Sequence, residues 1–203
     1  QRVKPELYVP TDDDIKAIIE HLSINDRELL IAVYLAAFGT LRRSEICALT
    51  ANDVKDNMIY VNKALVLNEQ RKWVIKTTKT TSSIRVVEMP EAIINEFHTS
   101  GRLVNLNPNQ ITHRFAKMLK LLNIKHFRFH DLRHYAASMM HALGVPDVYI
   151  MQRGGWSSDS TLKKIYRGVM DDYKEKFTEK TFKHIEDLTS DQTQNSTQKT
   201  KKP

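Results

Sequence analysis

His130-Asp131-Leu132-Arg133-His134 opens a run in which Leu132, Ala136, Met139, Met140 and Leu143 recur at three- and four-residue intervals, the spacing of one buried helical face. Gly144-Val145-Pro146 then stops it. The expected helix runs from about His130 to Leu143 with those residues inward, the two methionines serving as core filler. Residues three apart at a helix start share a face, so His130 and Arg133 can converge on one ligand. A metal site is the competing reading, because His130 and His134 are four apart and His126 lies four residues earlier. Against it, Phe127 and Phe129 interrupt the face, no Glu-x-x-His pattern accompanies it, and Arg133 between the histidines repels a cation.

Helical spacing continues on both sides. Before this segment, Ile111, Phe115, Met118, Leu119 and Leu122 mark one helix, and short helices flank Gly154-Gly155 after it. Near the start, Thr11 with Asp14 three residues on forms an approximate capping box for a helix carrying Ile15, Ile18, Ile19 and Leu22. The acidic run Asp12-Asp13-Asp14 is explained by the dipole of that helix and needs no catalytic role. A second helix is expected over Asp26–Phe38, ended by Gly39, and a short one over Leu41–Leu49. Between Ile59 and Val87 the texture changes to the β-branched and aromatic runs IYV, ALVL, WVI and IRVV. These predict a small antiparallel sheet with turns at Asn68-Glu-Gln-Arg71 and at Thr77–Ser83, closed by Pro90 and followed by a short helix over Ala92–His98. The fold class is mainly α with a small antiparallel β-sheet. A last helical pattern runs from Leu162 to Leu188.

The chain has 203 residues, 41% of them hydrophobic, which suffices for a core in one compact domain or two small ones. It carries 31 Lys and Arg against 24 Asp and Glu, a net charge of +7, which favours a polyanionic partner, although a basic but ordinary surface gives the same count. About +2 of this charge sits on residues 189–203, TSDQTQNSTQKTKKP, which contain no large apolar side chain and are expected to be disordered. The lone Cys47 excludes an intramolecular disulfide framework or cysteine-based zinc cluster and fits a reducing compartment. No apolar run approaches the roughly 18 residues that span a bilayer, and the first residues carry no signal or transit pattern. A soluble cytoplasmic protein with no membrane partner is expected, and a chain that starts with Gln is read as part of something longer.

Arg42 and Arg43 sit in GTLRRSEI, between two apolar helical segments. A guanidinium offers a planar fork of donors that fits a phosphate or carboxylate, and it is costly between core elements without a partner. Glu45 can be that partner in a purely structural buried pair, or it can orient an arginine toward a phosphate pocket.

Taken in order, GTLRRSEI, KTTSSIR (79–85), HDLRH (130–134), GGW ending at Trp156 and KKIYRG around Tyr166 resemble the catalytic domain of the tyrosine recombinases, or phage integrases, over about residues 11 to 180. Each element is weak alone; their joint order, with ten residues from Trp156 to Tyr166, is specific. The resemblance implies that Arg42 and Arg133 are the phosphate-binding arginines, Lys79 the hairpin lysine, His130 the histidine of His-x-x-Arg, Trp156 a residue at a place usually held by His, and Tyr166 the nucleophile. Tyr8, Tyr34, Tyr60, Tyr135, Tyr149 and Tyr173 are read as packing or surface residues. There are two departures from the family pattern. The usual Thr-Gly-Leu-Arg is Gly39-Thr40-Leu41-Arg42, which leaves the turn into Arg42 undefined, and Trp156 offers only an indole N–H.

The resemblance further implies residues 1–188 as a catalytic domain of tyrosine recombinase fold, with the family's separate N-terminal DNA-binding domain absent from this sequence. The expected partner is double-stranded DNA, with a homotetramer on two duplexes exchanging C-terminal segments; the apolar residues Phe177, Phe182 and Ile185 of the stretch Tyr173–Leu188 suit either such docking or packing on their own domain. No cofactor is expected, and no metal, because no carboxylate set has the spacing that holds paired cations. Two other functions share the pattern: DNA relaxation of the type IB topoisomerase kind, and a DNA-binding regulator that does not cut. The full set of six residues argues against the latter.

Overall fold

The computed structural model describes residues 8–78, 84–167, 178–183 and 185–186, with the backbone alone at residues 161, 166 and 167. Helix α2 (Arg27–Ala37) is apolar on nearly every side: Leu29 through Val33 and Leu35 through Ala37 are all buried. Such a helix has no face to give to water and must be surrounded. Helices α1 (Asp12–Asn25), α5 (Pro108–Leu121) and α6 (Leu132–Ala142) pack around it.

Local chemistry sets the ends of these helices. At α1 the Thr11 hydroxyl accepts from the Asp14 N–H at 3.1 Å while the Asp14 carboxylate accepts from the Thr11 N–H at 2.9 Å, the capping box read from the sequence. Asp12 accepts from the Tyr135 hydroxyl at 2.8 Å, so the acidic run caps and anchors α1. Asp26 caps α2, and Asn107 caps α5 with Pro108 in its first turn. Phe115 of α5 meets Phe127 and Phe129 edge-on, each at 5.3 Å between centroids, in the floor of the main core.

The β-segment forms two small antiparallel sheets where the sequence suggested one. β1 (Val54–Lys55), β2 (Met58–Val61) and β5 (Arg85–Glu88) make the first, in the order β1-β2-β5, while β3 (Lys63–Leu67) and β4 (Trp73–Thr77) pair as a hairpin. The hairpin turn at Asn68–Arg71 is as expected, with the Lys72 N–H donating to the Asn68 side chain at 2.8 Å. Val61 pairs with Arg85 and Ile59 with Val87, so Arg85 shares the buried face of β5 with Val87.

Short helices complete the fold: α3 (Arg43–Ile46), α4 (Glu91–Ile94), α7 (Asp147–Gly154) and α8 (Ser160–Arg167). A second, smaller core of Ala137, Ile150, Leu162 and Ile165, with Trp156 against it, fastens α7 and α8 to α6. Three expectations are corrected. The helices expected over 41–49 and 92–98 are single turns, Arg43–Ile46 and Glu91–Ile94, because the bonds beyond each tighten to three-residue turns, Leu49 N–H to the Ile46 carbonyl and Phe97 N–H to the Ile94 carbonyl. His130 precedes α6 in a 3-10 turn over Phe129–Asp131. Leu143 is 69% exposed, since it caps α6 beyond the last packed turn. Residues 79–83 and most of the stretch Tyr173–Leu188 lie outside the described residues, as does the tail 189–203.

Phe115→Ala is expected to cost about 3–5 kcal/mol in urea denaturation, because a cavity opens among three rings. Ile24, 86% exposed, should tolerate the same change within about 0.5 kcal/mol.

Candidate active site

The last carbonyls of a helix have no partner within it and carry the negative end of its dipole. At the end of α7, Gly155 takes the left-handed conformation (φ 65°) and the Trp156 N–H returns to the Met151 carbonyl at 3.0 Å. Three successive carbonyls beyond that return receive donors from elsewhere in the chain. The Arg153 carbonyl accepts from the Thr40 hydroxyl and from Arg85 Nε, both at 2.9 Å. The Gly154 carbonyl accepts from Arg133 Nη2 and the Gly155 carbonyl from Arg42 Nη2, again at 2.9 Å each. The Arg153 side chain ties the same turn to the end of α2 and to β5 through the carbonyls of Phe38 and Glu88, at 3.0 and 2.8 Å.

Glu45, 2% exposed, is the one carboxylate in contact with this arrangement among the described residues. Arg85 grips it with both terminal nitrogens, Nη1 to Oε1 at 3.2 Å and Nη2 to Oε2 at 2.9 Å. Arg42 reaches it with its backbone N–H at 2.7 Å and Nη1 at 2.8 Å. Burial alone pushes the Glu45 carboxyl up, but the bonds and charges of Arg85 and Arg42 outweigh it and hold Glu45 below its ordinary value. Glu45 is thus the buried partner of both arginines, and its two bonds from Arg42 fix where that side chain lies.

The turn into Arg42 is resolved by Thr40, which adopts φ 58°, the left-handed region that favours glycine. Its hydroxyl bond to Arg153 and a bond from Arg133 Nη1 to its carbonyl hold it there. Gly39 serves a different need. A Cβ at that position would come within 2.7 Å of the Leu35 carbonyl oxygen.

Arg133 is 1% exposed and lies beneath Trp156, its guanidinium carbon 4.9 Å from the ring centroid. Its Nε–H is buried without a partner. Burial first, then the like charge of Arg42, press the Arg133 pKa down to about 9, which leaves it a cation at pH 7 in surroundings short of negative charge. His130 keeps an open flank, yet desolvation of the rest of its ring and the charge of Arg133 push it down to about 4, so it is neutral at pH 7. The His134 ring stands edge-on to it at 5.5 Å and sits 3.4 Å from the Asp131 carboxylate. Burial lowers the pKa of His134 too.

Of the six residues singled out in the sequence, Arg42, Arg133 and Trp156 meet at the α7 turn, and His130 stands one turn ahead of Arg133. Tyr166 is on α8, whose Leu162 and Ile165 pack in the same small core as Trp156. Its side chain and the whole of Lys79 lie outside the described residues. The sequence reading missed Arg85, Thr40 and Arg153. Arg85 had a signal: it falls in phase with the buried Val87 of a strand, where an arginine demands a partner. Among the described residues no three His, Cys, Asp or Glu side chains gather as metal ligands.

A Cβ on Gly154 would lie 2.0 Å from Trp156 Cζ3. Gly154→Ala should therefore drive the indole off Arg133, shifting tryptophan fluorescence and costing about 1–3 kcal/mol. Because the folded chain resists protonating His130, whose ordinary pKa is 6.5, stability is complete above that pH and declines as pH falls from 6.5 toward 4. Thermal midpoints of His130→Gln should show a shallower decline over that window than the parent chain.

The phage integrase family model matches residues 9–172. An integrase of Saccharopolyspora erythraea is 38% identical over 66 residues, 32% of this chain and 15% of the relative. A "Tyrosine recombinase XerC-like" protein of Caldanaerobacter subterraneus subsp. tengcongensis is 24% identical over 84% of this chain and 52% of its own length. The chain thus spans about half of that relative or less. In architecture it is similar to the Tn1549 transposon integrase solved in complex with transposon right end DNA, with a TM-score of 0.69, 17% identity, and coverage of 82% of this chain and 63% of that one. The order of motifs, the helical fold around α2 and the match over residues 9–172 agree, and the chain belongs to the phage integrase family.

Proposed function

We propose that this chain is the catalytic portion of a site-specific DNA recombinase, an integrase of a phage or mobile element, that cleaves and rejoins duplex DNA without a metal ion. The observation that carries the reading is the convergence of Arg42 and Arg133 on the neighbouring carbonyls of Gly155 and Gly154, with positive charge in excess around one buried carboxylate. A phosphodiester is already an anion, and its five-coordinate transition state gathers a second negative charge on the non-bridging oxygens. Preorganised guanidiniums answer that charge as it develops.

In the proposed reaction the Tyr166 phenolic oxygen attacks phosphorus and its proton passes to His130, which is neutral at pH 7 and able to accept it. Desolvation depresses His130 most, and a phosphate bound beside Arg133 would offset the repulsion that adds to it, making His130 a stronger base. The bond from phosphorus to the 5′ oxygen breaks, Lys79 supplies the proton to that oxygen, and a 3′-phosphotyrosyl link remains with a free 5′-hydroxyl. The link conserves the phosphodiester energy, so a second 5′-hydroxyl reverses the step and no nucleotide cofactor is consumed. Trp156 contributes its indole N–H and its ring over Arg133, not a proton. The Trp156 ring lies over the buried Arg133 guanidinium, on the side from which its unpartnered Nε would meet a phosphate if the ring moved.

Recombination joins four such chains on two duplexes. Support comes from an open groove of about 1100 Å³ beside Trp156, lined by Ile84, Val86, Met139, Leu143 and Tyr149. The exposed Phe182 and Ile185 have the chemistry to fill it from a neighbouring copy. A basic chain that acts on DNA and has, among the described residues, no helix long and apolar enough to cross a membrane suits the cytoplasm.

Tyr166→Phe should abolish the covalent protein–DNA adduct on a nicked duplex while leaving binding nearly intact; persisting adduct places the nucleophile elsewhere. Arg133→Ala should slow cleavage by about 10²–10³. Cleavage in excess EDTA should continue, and its loss would contradict the metal-free chemistry.

A further inference from the structure

We propose that Arg85 is a positioning residue for this reaction: by occupying Glu45 it aims Arg42 without letting Arg42 be neutralised. The inference rests on the recombinase reading and adds a residue to it. The Arg85 side chain is 4% exposed, and all three of its nitrogens have protein acceptors, Nη1 and Nη2 on Glu45 and Nε on the Arg153 carbonyl. It does not reach DNA. Its effect passes through the carboxylate.

A carboxylate and a guanidinium left to themselves pair side-on, with two parallel bonds, and their charges cancel. Here Arg85 holds that side-on place on Glu45. Arg42 is left with one side-chain bond to Glu45 and sends its other terminal nitrogen to the Gly155 carbonyl, with 35% of its side chain open. Two guanidiniums then share one carboxylate while Arg133 bonds only carbonyls, so of these three cations two positive charges remain, matching the two negative charges of the transition state. The lowered pKa of Arg133, to which burial, Arg42 and Arg85 all contribute, is consistent with that surplus. Without Arg85, Arg42 would be free to turn into Glu45, and the cradle would lose both a charge and an aimed donor.

The test is single-turnover adduct formation on nicked duplexes whose scissile group is either a phosphodiester or a methylphosphonate, in which one non-bridging oxygen is a methyl and the transition state carries one negative charge fewer. Arg85→Met should slow the phosphodiester about 10²-fold and the methylphosphonate under about 10-fold. Adding Glu45→Gln to Arg85→Met removes the charge that captures Arg42 and should recover about 10-fold or more on the phosphodiester, whereas damage that is only structural would accumulate. Replacing both partners of a buried pair is tolerated better than removing one. Should Arg85→Met alone fail to fold, the double variant decides: within about 10-fold of the parent chain supports the proposal, and a folded double variant about 10²-fold slower or worse overturns it. Equal defects of Arg85→Met on the two substrates, or no recovery in the double variant, overturn it as well. In each of those cases the parent chain still forms adduct, so the recombinase reading survives; a parent chain that forms none overturns both.

Discussion

The carbonyl end of α7 and the single carboxylate of Glu45 are the acceptors on which the arginine site is built. Arginines at the cap of α3, on β5 and on α6 need acceptors if they are to stay in a protein interior, and a helix terminus supplies three in succession. The left-handed cap at Gly155 gives the turn its shape, and the absence of a side chain at Gly154 lets the Trp156 ring lie flat on it. One turn of an eight-residue helix therefore gathers Arg42, Arg85 and Arg133 from three separate parts of the sequence.

Burying this much charge is expensive, and apolar packing at the same place would stabilise the fold more cheaply. What the arrangement provides is preorganisation. On the proposed reading, guanidiniums that would face a doubly charged transition state are already fixed by protein acceptors. The unpartnered Nε of Arg133 and the strained Thr40 backbone lie at this same place, and each costs stability there. Trp156 lies over Arg133 and packs against the small core that also holds Leu162 and Ile165 of α8.

Much of this was legible in the sequence because the signals are local. The Thr11 and Asp14 cap, the apolar run of α2, the Asn68–Arg71 turn and the stop at Gly144-Val-Pro146 each depend on neighbours a few residues away. So does the pairing of Arg42 with Glu45. The contribution of Arg85 was not, because its partner Glu45 lies forty positions back on α3 and nothing local to β5 points to it. Thr40 was misleading for a related reason: the residue type argues against a left-handed turn, and only the carbonyl of Arg153 and the guanidinium of Arg133, both distant in sequence, hold it there. The β-segment split into two sheets because strand pairing is decided by non-local register, which alternating hydrophobicity leaves open.

The central claim is that Arg42 and Arg133 clasp one phosphate. A crystal structure of the chain bound to a nicked duplex, with vanadate in the gap, tests it most directly. The account requires the anion within hydrogen-bond distance of both guanidiniums, with Arg133 Nε donating to it and the Trp156 ring displaced from its place in the free chain. Vanadate seated away from the α7 turn, with Arg133 still closed beneath Trp156 and its Nε still unpaired, would contradict it.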